Sequence, residues 1–170
     1  ALHAKPAATM TAMASCASLA DCVALLGMAQ QQLAAGLTGF EAMNAFSLSL
    51  VARHMPQLRQ PLPAAPWTVL LELSDNESEA HARERFEGVL GQALERGIIG
   101  DAAVAESVAQ SHTMWHLRES IPLAQAEEGL NIKHDIALPV SRIPAFCAAT
   151  DAALARAVPG IRLVNFGHLG

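Results

Sequence analysis

The residues with the greatest chemical potential lie in the second half of the chain, where polar side chains interrupt otherwise apolar segments. Arg118 sits in Trp115-His116-Leu117-Arg118-Glu119-Ser120, and Lys133 opens Lys133-His134-Asp135. A guanidinium is a planar fork that grips a carboxylate through two N–H groups, and a lysine adds a compact point charge. The two cations together suit an anionic small molecule, provided a helix ending after Arg118 turns and returns a strand carrying Lys133 beside it. In such a strand neighbouring side chains point to opposite faces. Lys133 and Asp135 then share one side, with Asp135 as a hydrogen-bonding anchor or a partner for Lys133, and His134 packs under the helices on the other. His168, in Phe166-Gly167-His168-Leu169-Gly170, stands where a strand gives way to a glycine-flanked turn, a place that lets an imidazole approach a ligand or a metal. His112 and His116 are one helical turn apart but lack the glutamate of a HExxH pair, so they read as helix-surface histidines. No serine lies in GxSxG, no cysteine has a histidine context, and the chain has no tyrosine, which excludes the usual nucleophiles and a phenolic base.

The elements that must position these groups alternate between helical and strand periodicity. Strands are expected over 9–15, 37–42, 67–73, 98–105, 131–138 and 161–166. Helices are expected over 18–35, 45–54, 78–95, 107–126 and 141–157, with Pro122 perturbing the fourth and Pro144 lying in the first turn of the fifth. Pro56, Pro61, Pro63 and Pro66 force an extended connection before Trp67. This order of elements predicts an α+β fold in which a mostly antiparallel sheet carries helices on one face, in a ferredoxin-like arrangement, single or duplicated. A doubly wound parallel sheet fits less well, because no GxGxxG or GxxxxGKS phosphate turn is present.

Composition bounds the remaining possibilities. The 170 residues make one domain with a sizeable core; 52% are hydrophobic, 16% are charged and the net charge is -5. Eleven basic against sixteen acidic residues, with no basic run, leaves no electrostatic footing for nucleic acid. No apolar stretch approaches the length of about 20 residues needed to span a bilayer. Three cysteines, an odd number without a CxxC pair, argue against a disulfide framework and point to a reducing compartment, the cytoplasm by default. The N-terminal Ala1-Leu2-His3-Ala4 reads as a cut inside a longer protein.

Three ordered motifs carry a family resemblance: Trp115 to Ile121, then Ile132-Lys133-His134-Asp135-Ile136-Ala137-Leu138-Pro139-Val140-Ser141-Arg142, then Asn165 to Gly170. With Leu37-Thr38-Gly39-Phe40-Glu41-Ala42-Met43 and Trp67 to Leu73 in support, the chain resembles the C-terminal domain of FAD-linked oxidases along nearly its whole length. This is the group of D-lactate dehydrogenase, glycolate oxidase subunit and D-2-hydroxyglutarate dehydrogenase. The resemblance implies a two-domain flavoenzyme in which a separate N-terminal domain holds most of the FAD and this domain caps the flavin and shapes the substrate pocket. Such enzymes oxidise a D-2-hydroxy acid to the 2-oxo acid, with hydride passing to the flavin and electrons to a quinone, a cytochrome or an electron-transfer flavoprotein. Arg118 and Lys133 match the family's substrate-carboxylate residues. His168 matches the first histidine of a motif for a divalent metal such as zinc, which in the family continues Asp-Gly-Asn-x-His and is completed by a later glutamate beside a catalytic histidine.

On that basis residues 1–170 alone are expected to bind neither metal nor substrate well and to lack activity. Pro122 stands where D-2-hydroxyglutarate members tend to carry a hydroxyl residue, which weakens a dicarboxylate substrate; Ser120 could compensate if the helix bends toward the pocket. A non-catalytic ferredoxin-like binding or dimerisation module is the competing reading. An ether-lipid synthase with a non-redox flavin is disfavoured by the missing tyrosine and histidine run. Self-pairing and peripheral attachment to a membrane both stay open.

Overall fold

The computed structural model describes residues 5–169. The most strand-like segment of the sequence, Trp67–Asp75 (β3), forms the centre of the sheet. β1 (Ala8–Cys16) pairs with it antiparallel along its whole length, from Ala8 opposite Asp75 to Cys16 opposite Trp67. β2 (Leu37–Asn44) lines its other side, with a register shift between Leu37 and Gly39. The short strands β4 (Asp101–Val104) and β5 (Phe166–His168) close the two edges, giving the order β4-β1-β3-β2-β5 with antiparallel pairing throughout.

The helices among the described residues are α1 (Leu19–Leu33), α2 (Ala45–His54), α3 (Glu79–Glu95), α4 (Val108–Glu119), α5 (Ile121–Glu128) and α6 (Ile143–Ala157). The run β1-α1-β2-β3-α3-β4 with the sheet order 4-1-3-2 is one ferredoxin-like unit, into which α2 is inserted and to which β5 is added. The α+β class and the antiparallel sheet are therefore as expected.

Strand alternation builds two cores. Met10, Ala12, Ala14, Phe40, Ala42, Val69, Leu71 and Leu73 face α1 and α3, the helical layer that the sequence pattern anticipates. Met13, Met43 and Leu70 face the other way, onto a second layer made of α2, α4 and α5. Four helices start on a side-chain cap. The side chains of Ser18, Asn44, Ser78 and Ser107 accept hydrogen bonds from the backbone N–H of Asp21, Ser47, His81 and Gln110. Each such cap stabilises its helix by about 1 kcal/mol.

Four expectations are corrected. Residues 131–138 form no strand; they belong to an irregular, exposed segment over 129–139 in which Leu130 is 109% and Ile132 88% exposed. The alternating pattern is present, but a strand exists only where a neighbour supplies a ladder, and no strand of the sheet pairs with this segment. For the same reason His134 is exposed and not packed under helices. The last strand is Phe166–His168 in place of 161–166; the residues before it are held by Asn44, whose Nδ2 donates to the Leu163 carbonyl and whose N–H donates to that of Asn165. The fourth helix divides into α4 and α5 at Ser120, as Pro122 demands, and Pro122 falls within the first turn of α5, where its missing N–H costs nothing.

Two carboxylates tie distant elements together. Asp75 accepts from the Glu77 N–H at 2.8 Å, from His81 Nδ1 at 3.0 Å and from Arg85 at 3.1 Å. Those donors, the Glu77 N–H foremost, pull its pKa from an ordinary 3.8 down to about 2. Arg85 also donates to the carbonyls of Gln32 and Leu33, so it joins α3 to the end of α1. Glu128, at the end of α5, accepts from His54, Arg162 and Arg53, and with His54 as the largest cause its pKa also falls to about 2. Both groups are more acidic folded than unfolded, so their stabilising effect is complete above the unfolded values and is lost as pH falls from about 4.5 towards 2. Urea midpoints measured against pH should therefore be level near neutrality and drop over that window. Asp75→Asn should make the drop shallower.

Candidate functional site

The site is built where the β2–β5 edge meets α4. Along β2, Phe40 and Ala42 point into the α1/α3 core, so Glu41 must point to the opposite face, beside Met43 and under α4. Glu41 is buried at 6% exposure, which for a lone carboxylate would be costly. It is paired twice. Arg118 Nε donates to Oε2 at 2.9 Å, and His168 Nδ1 stands 3.1 Å from Oε1. Glu41 and His168 are directly opposite in the β2–β5 ladder, which the Leu169 N–H continues by donating to the Phe40 carbonyl at 2.9 Å.

Arg118 is held on a second side. Its guanidinium carbon lies 5.2 Å from the centroid of the Phe166 ring, a cation–π contact from the same strand that carries His168. With Nε committed to Glu41 and one face on Phe166, the two Nη groups have no partner among the described residues and form the fork's open edge. The Arg118 side chain is 23% exposed and that of His168 60%, so a small anion can reach both.

Helix α4 is fixed to the sheet independently of these charges. Met114 and Leu117 are buried in the second core, and Trp115 Nε1 donates to Glu72 Oε2 at 2.8 Å. The Trp115 ring lies over Gly39, where an added Cβ would meet two ring carbons at 3.0 and 3.1 Å. Gly39→Ala should therefore push α4 off β2 and destabilise the protein by about 1–3 kcal/mol in urea unfolding.

Of the residues singled out in the sequence, Arg118 and His168 converge on one carboxylate. Lys133, His134 and Asp135 do not join them: all three are exposed in the 129–139 segment, and none takes part in a hydrogen bond or ion pair among the described residues. His112 and His116 are exposed on α4, as expected. Ser120 is fully buried at the α4–α5 joint, with its Oγ unpartnered among the described residues, and so is not exposed on the Arg118 side as the missing hydroxyl. Glu41 is the residue that sequence reasoning missed. Its signal was a single acid inside the apolar run Gly39-Phe40-Glu41-Ala42-Met43.

A divalent metal fits this site as a partner of one arm only. His168 has the form of a metal-binding imidazole, with Nδ1 anchored on a carboxylate. Among the described residues no group of three histidine, cysteine, aspartate or glutamate side chains stands close enough to hold an ion, so further donors must come from elsewhere in the protein. No helix of the described residues is long and apolar enough to cross a membrane.

Comparison with known proteins places this geometry in context. The chain is 30% identical over 166 residues to the mitochondrial D-2-hydroxyglutarate dehydrogenase of Rattus norvegicus, an alignment covering 98% of this chain and 30% of the relative. It is 29% identical over 159 residues to the mitochondrial enzyme of that name from Arabidopsis thaliana, covering 94% and 28%. The D-2-hydroxyglutarate dehydrogenase of Xanthomonas citri pv. viticola is 36% identical over 107 residues, covering 62% and 22%. The chain thus spans about 30% of the length of the curated relatives it matches. The family model for FAD linked oxidases, C-terminal domain, matches residues 5–170, and the chain belongs to that family.

Proposed function

We propose that this domain supplies the substrate side of an FAD-dependent dehydrogenase acting on D-2-hydroxy acids, with the FAD held mainly by a separate domain of the same protein. The observation that carries the reading is the open edge of Arg118: a guanidinium fixed by Glu41 and Phe166, on a side chain 23% exposed, whose Nη groups have no partner among the described residues. Such a fork is preorganised for a carboxylate, because its entropy of ordering is already spent in the fold.

In this reading Arg118 grips the C1 carboxylate of the acid and Lys133 adds a second cation. Lys133 reaches that position only when the 129–139 segment is drawn in, and its exposed Leu130, Ile132 and Ile136 give a reason for it to be covered in the complete protein. His168 presents its outer nitrogen towards the same space, as one ligand of a divalent ion such as zinc. The bound FAD would accept the hydride from C2 of the acid. The protein's own residues fix the acid's orientation and neutralise its charge. Reoxidation would fall to a quinone, a cytochrome or an electron-transfer flavoprotein. Three free cysteines fit a reducing compartment, which we take to be the cytoplasm; the rat and Arabidopsis relatives carry "mitochondrial" in their names.

D-2-Hydroxyglutarate is the first acid to try, given the names of the relatives, followed by D-lactate and glycolate, since Pro122 replaces a hydroxyl that would suit a second carboxylate. The test is steady-state oxidation of each acid and its L-isomer by the complete protein with an artificial electron acceptor. Turnover of one D-acid with little of its L-isomer supports the reading. Absence of turnover with all of them contradicts it and favours a binding module.

A further inference from the structure

We infer that Glu41 is a positioning residue: its single carboxylate orients Arg118 through one oxygen and fixes the tautomer of His168 through the other. This deepens the proposed function, on which it rests, and assigns a role to a residue outside the set that the sequence pointed to.

A carboxylate offers only acceptors, Arg118 Nε–H only donates, and a neutral imidazole carries one donor nitrogen and one acceptor nitrogen. Since Oε1 of Glu41 stands 3.1 Å from His168 Nδ1, that nitrogen must bear the proton for the contact to be favourable. Nε2 is then left as an unprotonated lone pair, the form in which an imidazole binds a metal or accepts a proton. At the same time Oε2 accepts from Arg118 Nε at 2.9 Å, which fixes the plane of the guanidinium while its Nη groups have no partner among the described residues. One buried group thus presets two exposed ones.

The surroundings make this arrangement rigid. Glu41 is on a strand paired on both sides, by β3 and by β5, and His168 is its direct cross-strand partner. The only acid in contact with either Arg118 or His168 among the described residues is Glu41 itself. A carboxamide in its place would offer one acceptor oxygen and one donor NH2, so the two donors could not both be satisfied. If Arg118 keeps the oxygen, the NH2 faces His168 and favours the opposite tautomer.

The experiment is a long-range proton–nitrogen correlation spectrum of the complete protein labelled with nitrogen-15 histidine, at mildly alkaline pH, with His168 assigned by its loss in His168→Gln. The expected result is an Nδ1–H tautomer in the unsubstituted protein and a shift towards Nε2–H in Glu41→Gln. kcat/KM should fall about 10- to 100-fold in that variant and recover in part in Glu41→Asp. A predominant Nε2–H tautomer in the unsubstituted protein overturns the proposal whether or not Glu41→Gln folds. So does a Glu41→Gln variant whose kcat/KM stays within about twofold of the parent. Failure of the dehydrogenase reading would show separately, as absence of turnover with the tautomer unchanged.

Discussion

Arg118→Ala in the complete protein is expected to raise KM for the hydroxy acid sharply and to lower kcat/KM by about 30- to 1,000-fold, corresponding to about 2–4 kcal/mol for a lost charge-assisted contact. Two terms add in the same direction. The substrate carboxylate loses its bidentate partner, and Glu41, buried at 6% exposure, loses one of its two donors. Arg118→Lys should recover little of the loss, because an ammonium cannot donate from the Nε position to Glu41, cover Phe166 with a flat face and still present a fork. A steady-state comparison of parent, Arg118→Ala and Arg118→Lys decides the matter. Kinetics unchanged in both variants would reduce Arg118 to a structural partner of Glu41.

The second large effect is on stability. Leu117 is fully buried in the core between the sheet and the second helical layer, adjacent in sequence to Arg118 on α4. Leu117→Ala should cost about 2–5 kcal/mol by leaving a cavity beneath that helix. Leu123, on α5 but 58% exposed, is the control, and Leu123→Ala should change stability by no more than about 0.5 kcal/mol. Urea unfolding of the two variants measures both. A Leu117→Ala variant as stable as the parent would mean that α4 is not anchored by its apolar face, and the rigidity attributed to Arg118 would lose its basis.

Much of the framework could be read from local chemistry. The caps at Ser18, Asn44, Ser78 and Ser107 and the break before Pro122 are set by backbone and side-chain rules that act within a few residues. The alternation over 131–138 describes what the segment can do and not whether a partner strand pairs with it. The second helical layer was hidden for a related reason: β1, β2 and β3 bury both faces, and residues such as Met13, Met43 and Leu70 look the same in sequence whichever side they serve. The site was legible in part. Arg118 and His168 stood out as polar groups at structural joints, whereas Glu41 required the β2–β5 register to show that it lies opposite His168 and beneath Arg118. Long-range pairing of that kind leaves no local signal beyond an acid in an apolar strand.

Whether a hydroxy acid reduces a flavin in this protein is decided by an anaerobic visible spectrum of the complete protein, titrated in turn with D-2-hydroxyglutarate, D-lactate and glycolate, and with the L-isomers where they exist. The expected result is a flavin band that bleaches on addition of one of these acids, with any chiral substrate acting in its D form, and that bleaches far less readily in Arg118→Ala. A protein without a flavin band, or a flavin that no hydroxy acid reduces, would contradict it.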